Sequence, residues 1–287
     1  MRSARTLTVL GVLLGLANRP AMPVYAGDSG PKPEELVTRH LDAIGSADAR
    51  TTIKDRVVQG TASYRILVGG SGKADGKTGF VSEGHKVRFM VKLPLIDYRG
   101  ESIGFNGDAV GVAFANANQT RSAFASCIAT QDVIVRDGLL GGVLSTAWPL
   151  LDVGERKPKL TVEGLKKVDG HQLYQVRYEP AKHSEALINL YFDPETFRHV
   201  KTVYSTSVGN NVGATITESS KLLPERNTLE ERFSDFKTVD GLTLPTHWNL
   251  QFTRELPNGS TSVSEFDLKE DQIQNNVGLD PRNFEVK

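Results

Sequence analysis

Hydrophobic and polar residues alternate with a period of two over much of the chain, which is the pattern of β-strands that bury one face. Residues 85–93 place their apolar side chains on one side and mostly charged side chains on the other. Residues 244–252 show the same alternation, with Leu244, Thr246, Trp248, Leu250 and Phe252 sharing one face. Further strands are predicted at residues 102–105, 109–114, 173–179, 187–192 and 199–205.

Short turn sequences separate these strands. Asn106-Gly107-Asp108 is a hairpin signal, and Asp193-Pro194-Glu195-Thr196 has turn chemistry as well. Val168-Asp169-Gly170 and Val239-Asp240-Gly241 predict two more tight turns, and the glycine-rich residues 69–79 predict a flexible turn. Short turns join antiparallel neighbours, so the strands are expected to form one antiparallel sheet.

Two regions follow the helical period instead. Residues 33–44 have proline at the start, Glu34 and Glu35 in the first turn and an apolar stripe, which together predict one amphipathic helix. Residues 117–151 predict two short helical pieces with a glycine joint, although the β-branched residues 133–135 could also be extended.

These elements predict a mainly β protein of the α+β class. We expect a single curved antiparallel sheet of about eleven strands that forms an unclosed barrel, with helices covering its concave face. No proline- or serine-rich linker divides the chain, so residues 27–287 are expected to form one domain.

The N-terminus has the order of a secretory signal peptide: Arg2 and Arg5, an apolar run over residues 7–17, and small residues at Val24-Tyr25-Ala26. The apolar run is too short to span a membrane, which takes roughly 20 residues. Residues 1–26 are therefore predicted to be removed on export to the periplasm, with an uncleaved anchor as the alternative. Their removal takes away three arginines and no acidic residue, so the mature protein is slightly acidic.

Composition narrows the classes of function. The 34 basic and 34 acidic residues balance, which argues against a nucleic-acid partner, and the one cysteine excludes a disulfide framework. Cys127 stands among apolar residues and is expected to be buried and inert; a reactive thiol is the alternative.

Candidate chemistry is sparse. Residues 100–104 match the nucleophile-elbow pattern around Ser102, but a hairpin turn follows where the mechanism needs a helix, so a serine esterase is disfavoured. The six histidines lack metal-ligand spacing. His171, His183 and His199 are expected to be solvated. No catalytic residue, cofactor or metal ion is predicted, and a zinc site assembled from distant residues remains open.

Four segments resemble one known superfamily. They are the central stretch 139–151 (LLGGVLSTAWPLL), the hairpin 190–196 (LYFDPET), the strand–turn–strand 233–245 (FSDFKTVDGLTLP) and the opening 34–45 (EELVTRHLDAIG). Their amino-acid sequences and their order along the chain resemble those of periplasmic proteins of the LolA-like outer-membrane lipoprotein-sorting superfamily.

The resemblance implies an unclosed β-barrel of about eleven strands with helices as a lid over an apolar cavity. It implies a periplasmic protein that binds or carries lipids or lipoproteins without catalysis, in outer-membrane biogenesis. Acyl chains are then the expected ligand, and an envelope membrane protein is a further partner. A monomer is expected. A sensor or interaction module of the same fold is the alternative.

Strand alternation and the central segment supply the site residues. The cavity lining is predicted to include Phe89, Phe105, Phe114, Trp148, Phe192, Trp248 and Phe252. The lid is predicted to include Leu139, Leu140, Gly141, Gly142 and Leu144. Plain core packing is the alternative for the aromatic residues, and close packing is the alternative for the glycines.

Overall fold

The computed structural model describes residues 30–114, 121–208 and 223–286. The predicted signal peptide lies outside the described residues, as does part of the stretch 117–151. Among the helices of the described part, none combines the length and the apolar character needed to cross a bilayer.

Twelve antiparallel strands form one sheet. The strands are β1 (Asp55–Val68), β2 (Lys73–Glu83), β3 (Lys86–Lys92), β4 (Gly100–Phe105), β5 (Val110–Phe114), β6 (Lys159–Val168), β7 (His171–Glu179), β8 (Leu187–Phe192), β9 (His199–Val208), β10 (Glu225–Ser234), β13 (His247–Glu255) and β14 (Thr261–Asn275). Two short strands, β11 (Lys237–Val239) and β12 (Leu242–Leu244), form a separate ribbon.

The spatial order of the twelve strands is β5-β4-β3-β2-β1-β14-β13-β10-β9-β8-β7-β6. Within the described residues, edge strands β5 and β6 do not pair with each other, so the curved sheet is an unclosed barrel.

This topology confirms the predicted fold class, with twelve strands in the sheet where about eleven were expected. Tight hairpin turns between consecutive strands explain why neighbouring strands are antiparallel. Asp169-Gly170 and Asp240-Gly241 each have positive φ at both residues, as two-residue hairpin turns require.

The helices are α1 (Pro33–Ile44), α2 (Ala47–Thr52), α3 (Ala123–Thr130), α4 (Val133–Arg136) and α5 (Val153–Arg156). Short 3-10 turns cover Gly142–Leu144, Pro149–Asp152 and Pro281–Phe284. Helix α1 has the predicted bounds and buries Leu36, His40 and Ile44. Residues 133–135 are helical and fully buried, which settles the open choice in favour of helix.

Two predicted elements have different bounds. The glycine-rich turn is shorter than residues 69–79, because β2 already begins at Lys73 and Gly76 pairs with Ala62 of β1. The predicted strand 244–252 is interrupted after Leu244, and its second part begins at His247. Pro245 lies at the break, where its missing N–H removes a ladder hydrogen bond.

The inner face of the sheet holds the core. Along β13, Trp248, Leu250 and Phe252 are buried while the residues between them are half-buried. Residues 139–148, here called the central segment, lie inside this core, where Leu139, Leu140, Leu144 and Trp148 are fully buried. The barrel therefore carries a stretch of chain in its interior, and the contacts of that stretch decide how much free space remains.

Candidate functional site

The predicted lid residues lie in the central segment and are all buried. Gly141 and Gly142 have φ of 82° and 51°, and a side chain on Gly142 would come within 2.9 Å of His199 Nδ1. The glycines therefore allow a left-handed path that lies directly against the barrel wall.

Glu231 holds the start of the central segment. Its carboxylate accepts a 2.8 Å hydrogen bond from the backbone N–H of Gly141 and a 2.6 Å bond from the hydroxyl of Tyr204. Glu231 is fully buried on β10, and this burial raises its pKa to about 7. Protonation of this buried carboxyl group is therefore coupled to the hydrogen bond that holds the start of the central segment.

Arg56 holds the middle of the central segment. One terminal nitrogen of its guanidinium donates to the carbonyls of Val143 and Leu144 at 2.9 and 3.1 Å, and Nε donates to Asn275 Oδ1 at 2.8 Å. Arg56 is 3% exposed, and its burial lowers its pKa to about 10. The arginine satisfies carbonyls that the short 3-10 turn leaves open.

Trp148 holds the end of the central segment through His40 of α1. The indole N–H donates to His40 Nε2 at 3.0 Å, so the imidazole carries its proton on Nδ1, which donates to the Phe197 carbonyl at 3.0 Å. Burial lowers the His40 pKa to about 4. The imidazole is therefore neutral at pH 7 and serves as a structural acceptor.

His199 lies beside this pair, so the prediction that it is solvated was wrong. It is 1% exposed, stacks on Trp148 at 4.6 Å between ring centroids, and its Nε2 lies 2.8 Å from Thr202 Oγ1. The turn ends at Arg198, and the side chain of His199, the first residue of β9, points inward. Its neighbours in the sequence showed only turn chemistry, which gave no signal of the inward direction.

Thr146 makes the last contacts between the central segment and the sheet. Its N–H donates to Ser82 Oγ at 3.0 Å, and its hydroxyl donates to the Gly84 carbonyl at 3.3 Å. Two cavities border Val143, and their volumes are about 40 and 10 Å³. A single water occupies about 30 Å³ of liquid, so neither space accepts an acyl chain.

The seven aromatic residues predicted to line a cavity fall into separate places. Trp148 and Phe192 pack around His40 and His199. Phe89 packs against Trp248 with ring centroids 5.3 Å apart. Phe105 is buried on β4, and Phe114 is half-buried on edge strand β5. Phe252 contacts Phe124 and is the only one of the seven in the lining of the cavity described next.

A larger cavity opens at one end of the barrel, between the ends of β1 and β14, the loop after β3 and the start of α3. Its volume is about 330 Å³. We call it the mouth; its lining is Tyr64, Ile66, Val68, Gly69, Asp97, Tyr98, Arg121, Ser122, Ala123, Phe124, Phe252, Ser262, Val263, Ser264 and Phe266. Tyr64, Tyr98 and Phe266 pack on one another with ring centroids 5.0 to 6.4 Å apart, so the mouth has an aromatic wall.

Large hydrophobic side chains are exposed around this end. Leu67 and Val68 are 46% and 47% exposed at the end of β1, and Ile96 is 84% exposed in the loop beside Asp97. Leu223 is also exposed, and its N–H donates to the Pro257 carbonyl in the β13–β14 turn. We call these four residues the rim; Val68 lines the mouth itself, and Ile96 precedes the lining residue Asp97 in the chain.

The mouth also has polar groups at its inner side. Glu101 is 2% exposed, and its Oε1 accepts from the Ser122 N–H at 3.3 Å. Its Oε2 and the hydroxyl of Tyr98 are buried and interact with each other, although neither atom meets full hydrogen-bond geometry. Burial raises the pKa values of both Glu101 and Tyr98. Such groups are costly in an apolar wall unless a polar ligand atom or a water pairs with them.

A second cavity of about 290 Å³ lies on the other side of the start of α3. It shares Arg121 and Ala123 with the mouth and is lined by Cys127, Glu225 and Arg254 as well. Cys127 is buried, and burial raises its pKa to about 11. The thiol is therefore neutral at pH 7 and is a poor nucleophile.

Ser102 lacks the surroundings of a nucleophile elbow. It lies in β4, its Oγ accepts a 2.7 Å hydrogen bond from Arg88, and strand β5 follows. A different serine does meet a histidine and an aspartate, on the outer face of the sheet. Ser234 Oγ lies 3.0 Å from His247 Nδ1, and His247 Nε2 lies 2.5 Å from Asp267.

Sequence reasoning missed this second group because its residues come from β10, β13 and β14. Its imidazole is reversed relative to the Ser-His-Asp triad, in which the carboxylate bonds Nδ1 and the serine bonds Nε2. Ser234 is followed by a turn into β11 and not by a helix with free N–H groups. We therefore interpret the contacts as a cross-strand network that ties three strands together.

The sequence matches no protein-family model and no curated protein. Solved structures with a similar path of the chain include a LolA superfamily protein from Nitrosomonas europaea, at 14% identity and a TM-score of 0.48, covering 88% of this chain and 96% of that one. A putative outer membrane lipoprotein-sorting protein domain from Vibrio parahaemolyticus is 11% identical, with a TM-score of 0.45 and coverage of 86% and 97%. A DUF1329 family protein from Desulfovibrio piger is 13% identical, with a TM-score of 0.41 and coverage of 88% and 96%. Similarities of this size identify no ligand.

Proposed function

We propose that this protein is exported to the periplasm and binds the acyl chains of a lipid or lipoprotein in the mouth, without catalysis. The observation that carries the proposal is the aromatic cavity of about 330 Å³ with exposed hydrophobic residues around its opening. Small-molecule sites have volumes of about 300–1,000 Å³, so the mouth lies at the lower end of that range.

The rim supports an apolar ligand that arrives from a lipid layer. Leu67, Val68 and Ile96 expose apolar surface to water, and such surface is stabilised when an acyl chain or a membrane covers it. A chain entering past Val68 meets Tyr64, Phe252 and Phe266 in the wall of the mouth. This apolar path also has polar neighbours, among them Asp97, Arg121 and Ser262.

Polar groups in the same cavity suit the head of an acylated molecule. Arg121 lines the mouth and offers a cation for a carboxylate or phosphate. The Tyr98 hydroxyl lines the same cavity beside the buried carboxyl group of Glu101 and suits a hydroxyl or amide group of the ligand. An amphiphile therefore fits the mouth better than a pure hydrocarbon does.

The N-terminal sequence supports the location. We propose that residues 1–26 are a cleaved signal peptide and that residues 27–287 are the mature single domain. An exported protein in an aqueous compartment has to shield an acyl chain from water, and a concave sheet with an apolar cavity provides that shield.

The predicted lid role of the central segment remains a prediction. Glu231, Arg56 and His40 hold that segment at its start, middle and end, and its side chains fill the space beneath it. We propose that it stays seated while the ligand occupies the mouth.

The experiment compares charge placed on the rim with charge placed elsewhere. Val68→Asp and Ile96→Asp should each weaken binding of a fluorescent fatty acid at least about tenfold, because a charge then borders the apolar path. Leu165→Asp and Leu187→Asp change residues on β6 and β8 that are 51% and 57% exposed, close to the 47% of Val68, and should leave affinity unchanged.

Native mass spectrometry of the purified mature protein supplies the second measurement. Copurified acyl ligands are expected for the wild-type protein and should be depleted in Ile96→Asp. Protein without lipid that also fails to bind the fatty acid would contradict the proposal. Recovery of a stable protein partner by cross-linking in that case would favour the interaction module.

A further inference from the structure

A group of metal-ligating side chains lies on the surface beside the end of the central segment. His85 is in the turn between β2 and β3, Asp152 ends the 3-10 turn Pro149–Asp152, and Glu155 lies in α5. Within residues 30–114, 121–208 and 223–286, this is the one place where three such side chains bring ligand atoms within 4.8 Å of one another. None of these residues takes part in the proposed lipid site.

The distances are compatible with a shared ion. His85 Nε2 lies 3.7 Å from Asp152 Oδ2, which is too long for a hydrogen bond and within ion-pair distance. Two ligands of a tetrahedral zinc ion, each with a bond of about 2.0–2.1 Å, lie about 3.3 Å apart. A small inward movement of exposed side chains would therefore bring nitrogen and oxygen to ligand distance.

The ligands come from two elements whose positions are already fixed. Thr146 donates to Ser82 Oγ and to the Gly84 carbonyl, which ties the β2–β3 turn to the central segment. Asp152 is the N-cap of α5 and Glu155 lies in its first turn, where the two side chains interact. The site thus needs side-chain movement and little backbone movement.

We propose that His85, Asp152 and Glu155 bind one divalent transition-metal ion, with Zn²⁺ as the best match. One imidazole and two carboxylates are ligands that zinc accepts, and water completes the tetrahedron. The two carboxylates neutralise the charge of the ion. The bound ion links the β2–β3 turn to α5, and we call this link the clasp. It restrains the chain that follows the central segment.

Isothermal titration of the mature protein with ZnCl₂, at pH 7.5 in a non-chelating buffer, tests the site. We expect one equivalent of Zn²⁺ to bind with a dissociation constant of about 1 μM or lower. His85→Ala and Asp152→Asn should each weaken binding at least about tenfold. His171→Ala changes another exposed histidine next to a hairpin turn and should leave binding unchanged.

Absence of saturable binding by the wild-type protein would overturn the proposal, and so would equal affinity in His85→Ala. All three substitutions are at exposed or half-buried positions, and circular dichroism checks that each variant is folded.

A second measurement tests the clasp. Saturating Zn²⁺ should raise the Tm of the wild-type protein by about a few degrees and slow amide exchange in α5, and EDTA should reverse both effects. His85→Ala should show neither effect. An equal gain in His85→Ala would contradict the clasp. Fatty-acid binding is measured on the same samples. Loss of fatty-acid binding would contradict the proposed function of the mouth and would leave the metal site unaffected.

Discussion

The surroundings of the central segment and the mouth both contain aromatic side chains, but the first region is closely packed and the second is open. Around the central segment, buried polar groups from β1, β10 and α1 bond the enclosed chain, and the two cavities that border Val143 measure about 10 and 40 Å³. At the mouth, a cavity of about 330 Å³ lies open, Tyr98 and Glu101 have buried polar atoms without full hydrogen-bond geometry, and hydrophobic residues face water. The difference underlies our proposal that one end is built for stability and the other for a ligand.

The largest effect is expected from Trp148→Ala. The substitution removes a fully buried indole and leaves His40 Nε2 without its donor, so the free energy of unfolding should fall by about 4 kcal/mol. Chemical denaturation measures the loss. Trp148→Phe keeps most of the buried area and should lose clearly less; an equally small loss in both variants would mean that the central segment is not a packed core.

The next effect is a pH dependence from Glu231. Its pKa is raised from 4.5 to about 7, so the folded protein keeps a proton that the unfolded chain releases. The stability contributed by the protonated form is present below about pH 4.5, is lost as the pH rises towards 7, and is level above that. The span is roughly 3 kcal/mol.

Glu231→Gln imitates the protonated carboxyl and should remove this slope. The difference in unfolding free energy between variant and wild type, measured from pH 4.5 to 8, isolates the group. This comparison is needed because Glu270 has a pKa raised to about 7 and His40 has one lowered to about 4, and both persist in the variant. A difference that does not change with pH would contradict the role given to Glu231.

Arg56→Met should cost about 2 kcal/mol, because the carbonyls of Val143 and Leu144 lose their buried donor. Arg65→Met is the control on the same strand. Arg65 pairs with Glu265 at 2.6 Å but is 51% exposed at its side chain, so its loss should cost less than about 0.5 kcal/mol. Urea titrations measure both losses of unfolding free energy. Equal losses would mean that Arg56 holds the central segment no more strongly than an exposed ion pair holds the surface.

Filling the mouth should change binding and leave stability nearly unchanged. Ser264→Phe places a ring inside the mouth and should weaken fatty-acid binding about tenfold, which corresponds to about 1.4 kcal/mol. Ser126→Phe fills the neighbouring cavity beside Cys127 instead and should bind normally. If Ser126→Phe is the weaker binder, the ligand occupies the other side of α3.

The smallest effect concerns Cys127. Burial and a pKa of about 11 keep its thiol protonated, so iodoacetamide at pH 8 should label the native protein far more slowly than the denatured protein. Mass spectrometry follows the adduct over time. Labelling at the same rate in both states would show that the start of α3 opens readily.

The sequence predicted the local elements well, because each depends on neighbouring residues. Proline and two glutamates mark the start of α1, and alternation marks the strands. Pro245 was a local signal of the strand break, which the clear alternation of residues 244–252 concealed. The inward direction of His199 depends on the neighbouring strands, and no local pattern showed it.

The site was less predictable because its contacts join residues that are distant in the sequence. Glu231 and Gly141 are 90 residues apart, and Arg56 and Val143 are 87 apart, so only the folded chain reveals these contacts. Phe252 was predicted from alternation and does line the mouth. The rim had a weak signal: Leu67 and Val68 break the alternation at the end of β1, and Ile96 is an apolar residue in a loop.

Photo-cross-linking with a diazirine-bearing fatty acid tests the central claim most directly, because peptide mass spectrometry locates the bound chain. We expect adducts on residues of the mouth, such as Tyr64, Tyr98 and Phe252, that an unmodified fatty acid competes away. The central segment, residues 139–148, should stay unlabelled. Competed adducts on Leu139, Leu144 or Trp148 with an unlabelled mouth would contradict the account, because the central segment would then move aside and act as a lid.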